Sequence, residues 1–167
     1  FRGKNGLYQT VGEEMFSLDL FYSDPSVYYN NARDFIYNLN QKECSIVHQK
    51  LAELEAKGKL KAVITQNIDL LHTKAGNKKV FELHGSPSVH RCLKCGATKP
   101  FEWIVPIVEK GEVPKCTQCG GTLKPEITFF GEQLPQECFK KAIEEARAAD
   151  LMLVLGSSLT VQPAASV

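Results

Sequence analysis

The chain has 167 residues, 43% apolar and 23% charged, enough to bury a core and short for two independent domains. This composition excludes a disordered tail, a fibre and a disulfide miniprotein, and a net charge of +1 from 20 basic and 19 acidic residues gives no field that would require nucleic acid or an anionic membrane as partner. The longest clean apolar stretch, Leu151 to Leu155, falls far short of the ~20 residues of a membrane span.

In chain order, the sequence begins at Phe1-Arg2-Gly3 without an initiator Met, which leaves targeting segments open. Between Glu43 and Lys57 the apolar residues Ile46, Val47, Leu51 and Leu54 recur at helical spacing and Gly58 follows as a C-cap, predicting an amphipathic helix. Leu60 and Ala62-Val63-Ile64 then suit a buried strand, and Val80-Phe81-Glu82-Leu83 a second. Pro135 opens another predicted helix, with Phe139, Ala142, Ile143 and Ala146 on one face, which runs into Leu151-Met152-Leu153-Val154-Leu155 as a last buried strand. Helix followed by buried strand occurs twice, so the predicted class is α/β, a parallel sheet with crossover helices. Residues 86–126 break this alternation and read as an inserted module.

Polar residues gather just past the predicted strand ends: Gln66-Asn67-Ile68-Asp69, His84-Gly85 and Gly156-Ser157-Ser158. In open parallel sheets that edge binds ligands, because loops converge there and helix amino termini point N–H groups at anions. Each group also has a plainer reading. His84 could take a proton from a hydroxyl, or be a hydrogen-bonded structural residue. Asn67 and Asp69 could cap a helix, or together grip a carboxamide and ribose hydroxyls with Ile68 as an apolar wall. Gly156-Ser157-Ser158 could start a helix or approach a nucleotide closely, and no GxGxxG decides between them. His72 could anchor a helix start, while His48 and His90 have no supporting context. Lys57, Lys59, Lys61, Lys78-Lys79 and Lys140-Lys141 read as solvated surface.

Four of the six cysteines form Cys92-x2-Cys95 and Cys116-x2-Cys119, with twenty residues between the pairs. That is the spacing at which two thiolate knuckles close a tetrahedral zinc, and Gly96 and Gly120-Gly121 supply flexible backbone for the turns. Four thiolates fill the coordination sphere, so the zinc is expected to be structural rather than catalytic. The competing reading is two redox pairs or free thiols. Cys44 and Cys138, each expected on a helix, read as small buried residues.

Taken together, these residues resemble the sirtuin family, the NAD-dependent protein deacylases. The resemblance is carried by Phe1-Arg2-Gly3, by Thr65-Gln66-Asn67-Ile68-Asp69 with Leu71-His72 and Ala75-Gly76, by Glu82-Leu83-His84-Gly85, by the four cysteines, by Phe129-Phe130-Gly131-Glu132 with Leu134-Pro135, and by Gly156-Ser157-Ser158-Leu159 with Val161 and Pro163-Ala164. It implies a Rossmann-like NAD-binding domain at 1–85 and 127–167, a zinc-ribbon module at 86–126 and an acyl-lysine tunnel between them. It also implies that His84 is the general base activating a ribose hydroxyl of NAD, that Asn67, Ile68 and Asp69 line a nicotinamide pocket, and that Gln66 touches ribose. Phe1 and Arg2 match a cofactor loop, Gly156, Ser157 and Ser158 would hold the phosphate and ribose part, and Thr128, Phe130, Gly131 and Glu132 would meet the acylated peptide. The last three would do so through backbone, by β-addition. The implied partners are acetylated proteins or peptides, with no nucleic acid or membrane needed, and the expected compartment is intracellular, cytoplasm preferred, with nucleus or organelle open to a eukaryotic source.

The family's Gly-Ala-Gly phosphate loop and its later strands lie outside this sequence, so the chain reads as an internal fragment expected to bind NAD poorly alone. Thr128 stands where the family often has Val, and Ser157 where Thr is common. The Tyr-x-x-Arg pair of family members that remove acidic acyl groups falls on Ala32 and Phe35, with Arg33 nearby, so acetyl or a longer apolar acyl is expected. Protein ADP-ribosyl transfer and a non-catalytic zinc-ribbon binding module are the alternative functions.

Overall fold

A computed structural model describes residues 12–167. In chain order these form α1 (Leu18–Ser23), α2 (Pro25–Ala32), α3 (Ile46–Ala56), β1 (Val63–Thr65), α4 (Leu71–Ala75), β2 (Val80–Glu82), β3 (Gly85–Cys92), β4 (Thr98–Pro100), α5 (Phe101–Glu109), β5 (Leu123–Ile127) and α6 (Gln136–Ala148). They divide into two compact units, one joining the residues up to Gln41 with Pro87–Glu132, the other joining Lys42–Ser86 with Gln133–Val167. No helix among the described residues is long and apolar enough to cross a membrane.

In the second unit, β1 and β2 pair in parallel with Val63 opposite Val80, Ile64 opposite Phe81 and Thr65 opposite Glu82. Bonds from Val63 N–H to the Lys79 carbonyl and from Leu83 N–H to that of Thr65, both 2.9 Å, extend the ladder at each end. Their short β-branched and aromatic runs meet the sequence expectation, and α6 supplies the predicted covering face. Ala142 is fully buried with Leu83 and Ala164, and Ile64, Phe81 and Phe139 pack against them. The predicted helix forms as α3 from Ile46, the first of its apolar residues, capped by a reciprocal Ser45–His48 box, but Ile46, Val47 and Leu54 of its expected apolar face are exposed. Leu151–Leu155, expected as a last buried strand, forms no strand and is exposed, Leu151 at 84% and Leu153 at 68%. An apolar run becomes a sheet strand only where a neighbour accepts its N–H groups, and the parallel sheet among the described residues stops at β1 and β2.

The entrance to β2 is held by one side chain. The Glu55 carboxylate on α3 accepts from the Asn77 amide at 2.8 Å, the Lys78 N–H at 2.8 Å and the Lys79 N–H at 2.9 Å. Burial pushes its carboxyl up, but those three donors outweigh it and hold the pKa below the ordinary 4.5. A depressed pKa contributes stability that is present above the unfolded value and lost as pH falls through the folded one. Glu55→Ala is therefore expected to lower the urea stability of this unit by about 1.5–3 kcal/mol at pH 7, the range for bonds to a charged group. The deficit should shrink below pH 4; an unchanged urea midpoint would refute the assignment.

The core of the first unit is aromatic. Phe129 meets Phe16 and Phe21 edge-to-face at 5.7 and 5.4 Å, and Tyr28, Tyr29 and Tyr37 extend the cluster. Each hydroxyl buried this way needs a partner or bears a penalty. The Tyr29 hydroxyl donates to the Leu123 carbonyl at 2.6 Å, and that of Tyr37 stands 2.7 Å from Nε2 of fully buried His90. Burial, then the Lys124 charge, pushes the His90 imidazole down to about 3, so it is neutral in the folded protein. Beside this core, β3 lies between β4 and β5, with Val89 to Arg91 antiparallel to Thr98 to Pro100.

Candidate functional site

Immediately after β1, the Thr65 hydroxyl accepts the Asn67 N–H at 3.0 Å and bends the chain out of the sheet. The turn brings the Gln66 carbonyl to 2.8 Å from Nδ1 of His84, two residues beyond β2. A carbonyl only accepts, so Nδ1 carries the proton and Nε2 keeps its lone pair: the backbone fixes the tautomer in which His84 can act as a base. Ile68 is buried, Asp69 and His84 are half-buried and Asn67 is exposed, so the two parallel strands bring Gln66 to Asp69 and His84 together at one sheet edge.

The plainer reading of Asp69 as a helix N-cap is met only in part: the N-cap of α4 is Leu70, without a side-chain cap bond, while Asp69 Oδ1 accepts the Leu71 N–H at 3.0 Å from one residue earlier. It does so across Leu70, a bulky residue at φ 61, a left-handed conformation uncommon for such a side chain. Sequence reasoning assigned no role to Glu82, which faces Thr65 across the strand pair. Burial pushes its carboxyl up, Ser86 pulls it down and the charge of Asp69 pushes it up again. The available signal was a carboxylate inside the apolar run Val80-Phe81-Glu82-Leu83. His72 lies in α4 with its ring 4.6 Å from that of His48.

Gly156, Ser157 and Ser158 are exposed and bonded locally, with no helix starting there. The Ser157 hydroxyl accepts the Leu159 N–H at 3.2 Å, and Ser158 pairs with Thr160 at 2.9 Å. Phe1 and Arg2 lie outside the described residues. Thr128, Phe130, Gly131 and Glu132 fall in the first unit. The Phe130 backbone, expected to meet a peptide, is engaged within this unit: its N–H donates to the Phe16 carbonyl at 2.8 Å and its carbonyl accepts from the Leu18 N–H at 3.1 Å. What Phe130 presents outward is its ring, 49% exposed. The Glu132 carboxylate is likewise engaged, accepting from the Phe129 N–H and the Lys124 ammonium.

The four cysteines come together as their spacing predicts, all four sulfurs lying within 4.8 Å of one another. Cys92 and Cys119 are 3.4 Å apart, Cys95 and Cys116 3.6 Å, close to the ~3.8 Å between thiolates on a tetrahedral zinc with ~2.3 Å bonds and far from a disulfide at ~2.05 Å. The two knuckles are alike. Gly96 N–H returns to the Cys92 carbonyl and Gly120 N–H to that of Cys116, at φ 74 and 71, while Lys94 and Gln118 N–H groups donate to Cys92 and Cys116 sulfurs. Gly121 is required for close approach: a Cβ there would stand 2.8 Å from the Cys92 sulfur. Burial opposes ionisation of Cys92, but the N–H groups of Cys95 and Lys94 bring its thiol to about 6; the Ala97 N–H pulls Cys95 down, yet its thiol neighbours, Cys119 first, drive it up to about 12. Four thiols so close ionise together only around a cation, and a tetrathiolate zinc fits that set. All six cysteines are free of disulfides; Cys44 precedes α3 instead of lying on it, and Cys138 sits on α6.

A parallel strand pair carrying polar loops past both strand ends in one unit, and a four-thiol knuckle on an antiparallel sheet in the other, define an α/β protein with a zinc ribbon. The profile of the Sir2 family matches residues 1–163. A NAD-dependent protein deacetylase of Thermotoga maritima is 44% identical over 167 residues, covering 100% of this chain and 68% of the relative. NAD-dependent protein deacylase 2 of Archaeoglobus fulgidus is 42% identical, covering 100% of this chain and 66% of the relative. A solved Sir2 bound to a p53 peptide and NAD+ superposes at a TM-score of 0.84 with 45% identity, over 90% of this chain and 63% of that one. The chain belongs to the Sir2 family, and spans about two thirds of the length of the relatives it matches.

Proposed function

We propose that the protein carrying this chain removes acetyl or other uncharged acyl groups from protein lysines at the expense of NAD. The observation that carries the reading is the 2.8 Å bond from His84 Nδ1 to the Gln66 carbonyl, which leaves Nε2 as a base beside the Gln66–Asp69 loop. NAD would supply an electrophilic ribose carbon at which the acyl oxygen displaces nicotinamide, and with one water consumed the acyl group would end on a ribose hydroxyl as O-acyl-ADP-ribose beside the free lysine.

His84 would accept the proton of a ribose hydroxyl at Nε2, its ring held by Gln66. Asn67 and Asp69 would grip the nicotinamide carboxamide, Ile68 would keep water from that pocket, and Gly156, Ser157 and Ser158 would take the phosphate and ribose portion, with Phe1 and Arg2 from the cofactor loop. Thr128, the Phe130 ring and the Gly131 backbone would meet the acylated peptide. Cys92, Cys95, Cys116 and Cys119 would hold zinc outside the chemistry, where it shapes the 86–126 module. Residues 1–85 and 127–167 form the NAD-binding part in this reading. Ala32 is fully buried where a tyrosine would greet an acidic acyl chain, which favours uncharged groups. Reduced thiols suit an intracellular setting.

Mass spectrometry of an acetyl-lysine peptide incubated with the intact protein tests the reading. The acetyl group should leave only when NAD is present, with nicotinamide and an acetylated ADP-ribose as co-products. ADP-ribose joined to the peptide or protein instead would establish a transferase, and no reaction of either kind would leave the zinc-ribbon binding module.

A further inference from the structure

Lys124 on β5 is 6% exposed, the one lysine among the described residues buried to this degree. Its ammonium donates to the Pro125 carbonyl at 3.2 Å, the Ile127 carbonyl at 2.9 Å and Glu132 Oε2 at 2.8 Å, and it stands 4.0 Å from the centre of the Phe129 ring. The same Glu132 oxygen accepts the Phe129 N–H at 2.7 Å, and the Glu132 N–H returns to the Phe129 carbonyl at 3.0 Å. One atom thus ties the end of β5 to both sides of the Thr128–Glu132 segment, which contains no helix or named strand of its own and turns at Gly131 with φ 100.

An ammonium offers three donors from a single nitrogen, matching the three acceptors. A guanidinium spreads its donors over a flat fork and suits such a tripod poorly. The aromatic face closes the remaining side with a cation–π contact. A surface lysine performing only a solubilising role would neither be buried nor have every donor committed.

We infer that Lys124 is a positioning residue for substrate: by strapping the Pro125 and Ile127 carbonyls to the Glu132 carboxylate, it holds the Gly131 backbone and Phe130 ring in the conformation an acylated peptide meets. The inference rests on the deacylase reading above and assigns no chemical step to Lys124.

The test compares wild type, Lys124→Met and Lys124→Arg in the intact protein, measuring KM and kcat for an acetyl-lysine peptide, KM for NAD, and amide hydrogen exchange at Phe129, Phe130 and Glu132, with zinc content as the check on folding. The Met variant is expected to raise peptide KM about tenfold or more while kcat and the KM for NAD move less than about threefold, the split that marks lost binding rather than lost chemistry. Exchange should quicken at those three amides and not in β1 or β2, and the Arg variant should fall between. If the Met variant loses its zinc, the Arg variant decides by the same two readouts. Wild-type peptide KM and exchange in a zinc-loaded variant would overturn the inference. A wild-type protein that does not deacylate would overturn its substrate half together with the deacylase reading, and unchanged exchange would separately overturn the strap.

Discussion

Stripping the metal from the four-cysteine site with a high-affinity chelator is expected to unfold the unit that contains it. Structural zinc contributes about 10–16 kcal/mol of apparent binding energy in small zinc-finger peptides, as much as the whole 5–15 kcal/mol stability of an ordinary domain. Here the metal would close a loop between Cys92–Cys95 and Cys116–Cys119 whose four sulfurs lie within 4.8 Å. The measurement is a thermal melt before and after chelation, with metal content by elemental analysis: about one zinc per chain lost, and the melting transition of this unit lost with it. Gly121→Ala should weaken zinc retention in the same assay, because its Cβ would press on the Cys92 sulfur at 2.8 Å. A melt that is unchanged in demonstrably metal-free protein would show that the cysteines are not a folding site.

The second large effect is catalytic. His84→Ala is expected to lower kcat/KM for deacylation by about 10²–10⁴, the usual worth of a positioned general base, or roughly 3–5 kcal/mol of transition-state stabilisation. His84→Asn sharpens the test, since the Asn amide can still donate to the Gln66 carbonyl but has no basic nitrogen. It should match Ala in rate while retaining wild-type thermal stability. If His84→Asn kept more than about a tenth of the activity, the bond to Gln66 would be the important feature and proton removal would belong elsewhere.

The elements that could be read from the sequence are those whose signal is local. The α3 helix declares itself through apolar spacing and the bounding Gly58, and the cysteine knuckles through a spacing that metal geometry requires. His84 and the Gln66–Asp69 loop were found because each follows a short apolar strand. The bond between them needed the parallel register of β1 and β2, which no window of sequence contains.

What escaped reading depends on partners distant in the chain. Leu151–Leu155 has strand composition, yet a strand is defined by its neighbour and none pairs with it among the described residues. Lys124 carries no sequence signal and His90 no supporting context, and both are buried by Glu132, Tyr37 and the aromatic core, which lie far away in the chain or on other elements. The Phe130 backbone was expected to be available, but a bridge to Ser17 occupies it across more than a hundred residues. Half of the aromatic core, Phe21, Tyr28 and Tyr29, sits on α1 and α2, helices of six and eight residues, too short to impose a period on their sequence, and Phe16, Tyr37 and Phe129 lie outside them.

The distribution of aromatic residues between the two units has an optical consequence. The single tryptophan, Trp103, and all five tyrosines fall in the unit built from the residues up to Gln41 and Pro87–Glu132, while the other unit has phenylalanine alone. Absorbance near 280 nm, fluorescence excited at the red edge of that band and near-ultraviolet circular dichroism therefore report one unit and are nearly blind to the other (~280 nm being where indole and phenol absorb). Far-ultraviolet ellipticity, to which α3 and α6 contribute strongly, supplies the complementary signal. Two spectrometers and an unlabelled, wild-type sample are thus enough to ask whether the units lose structure in one transition or two.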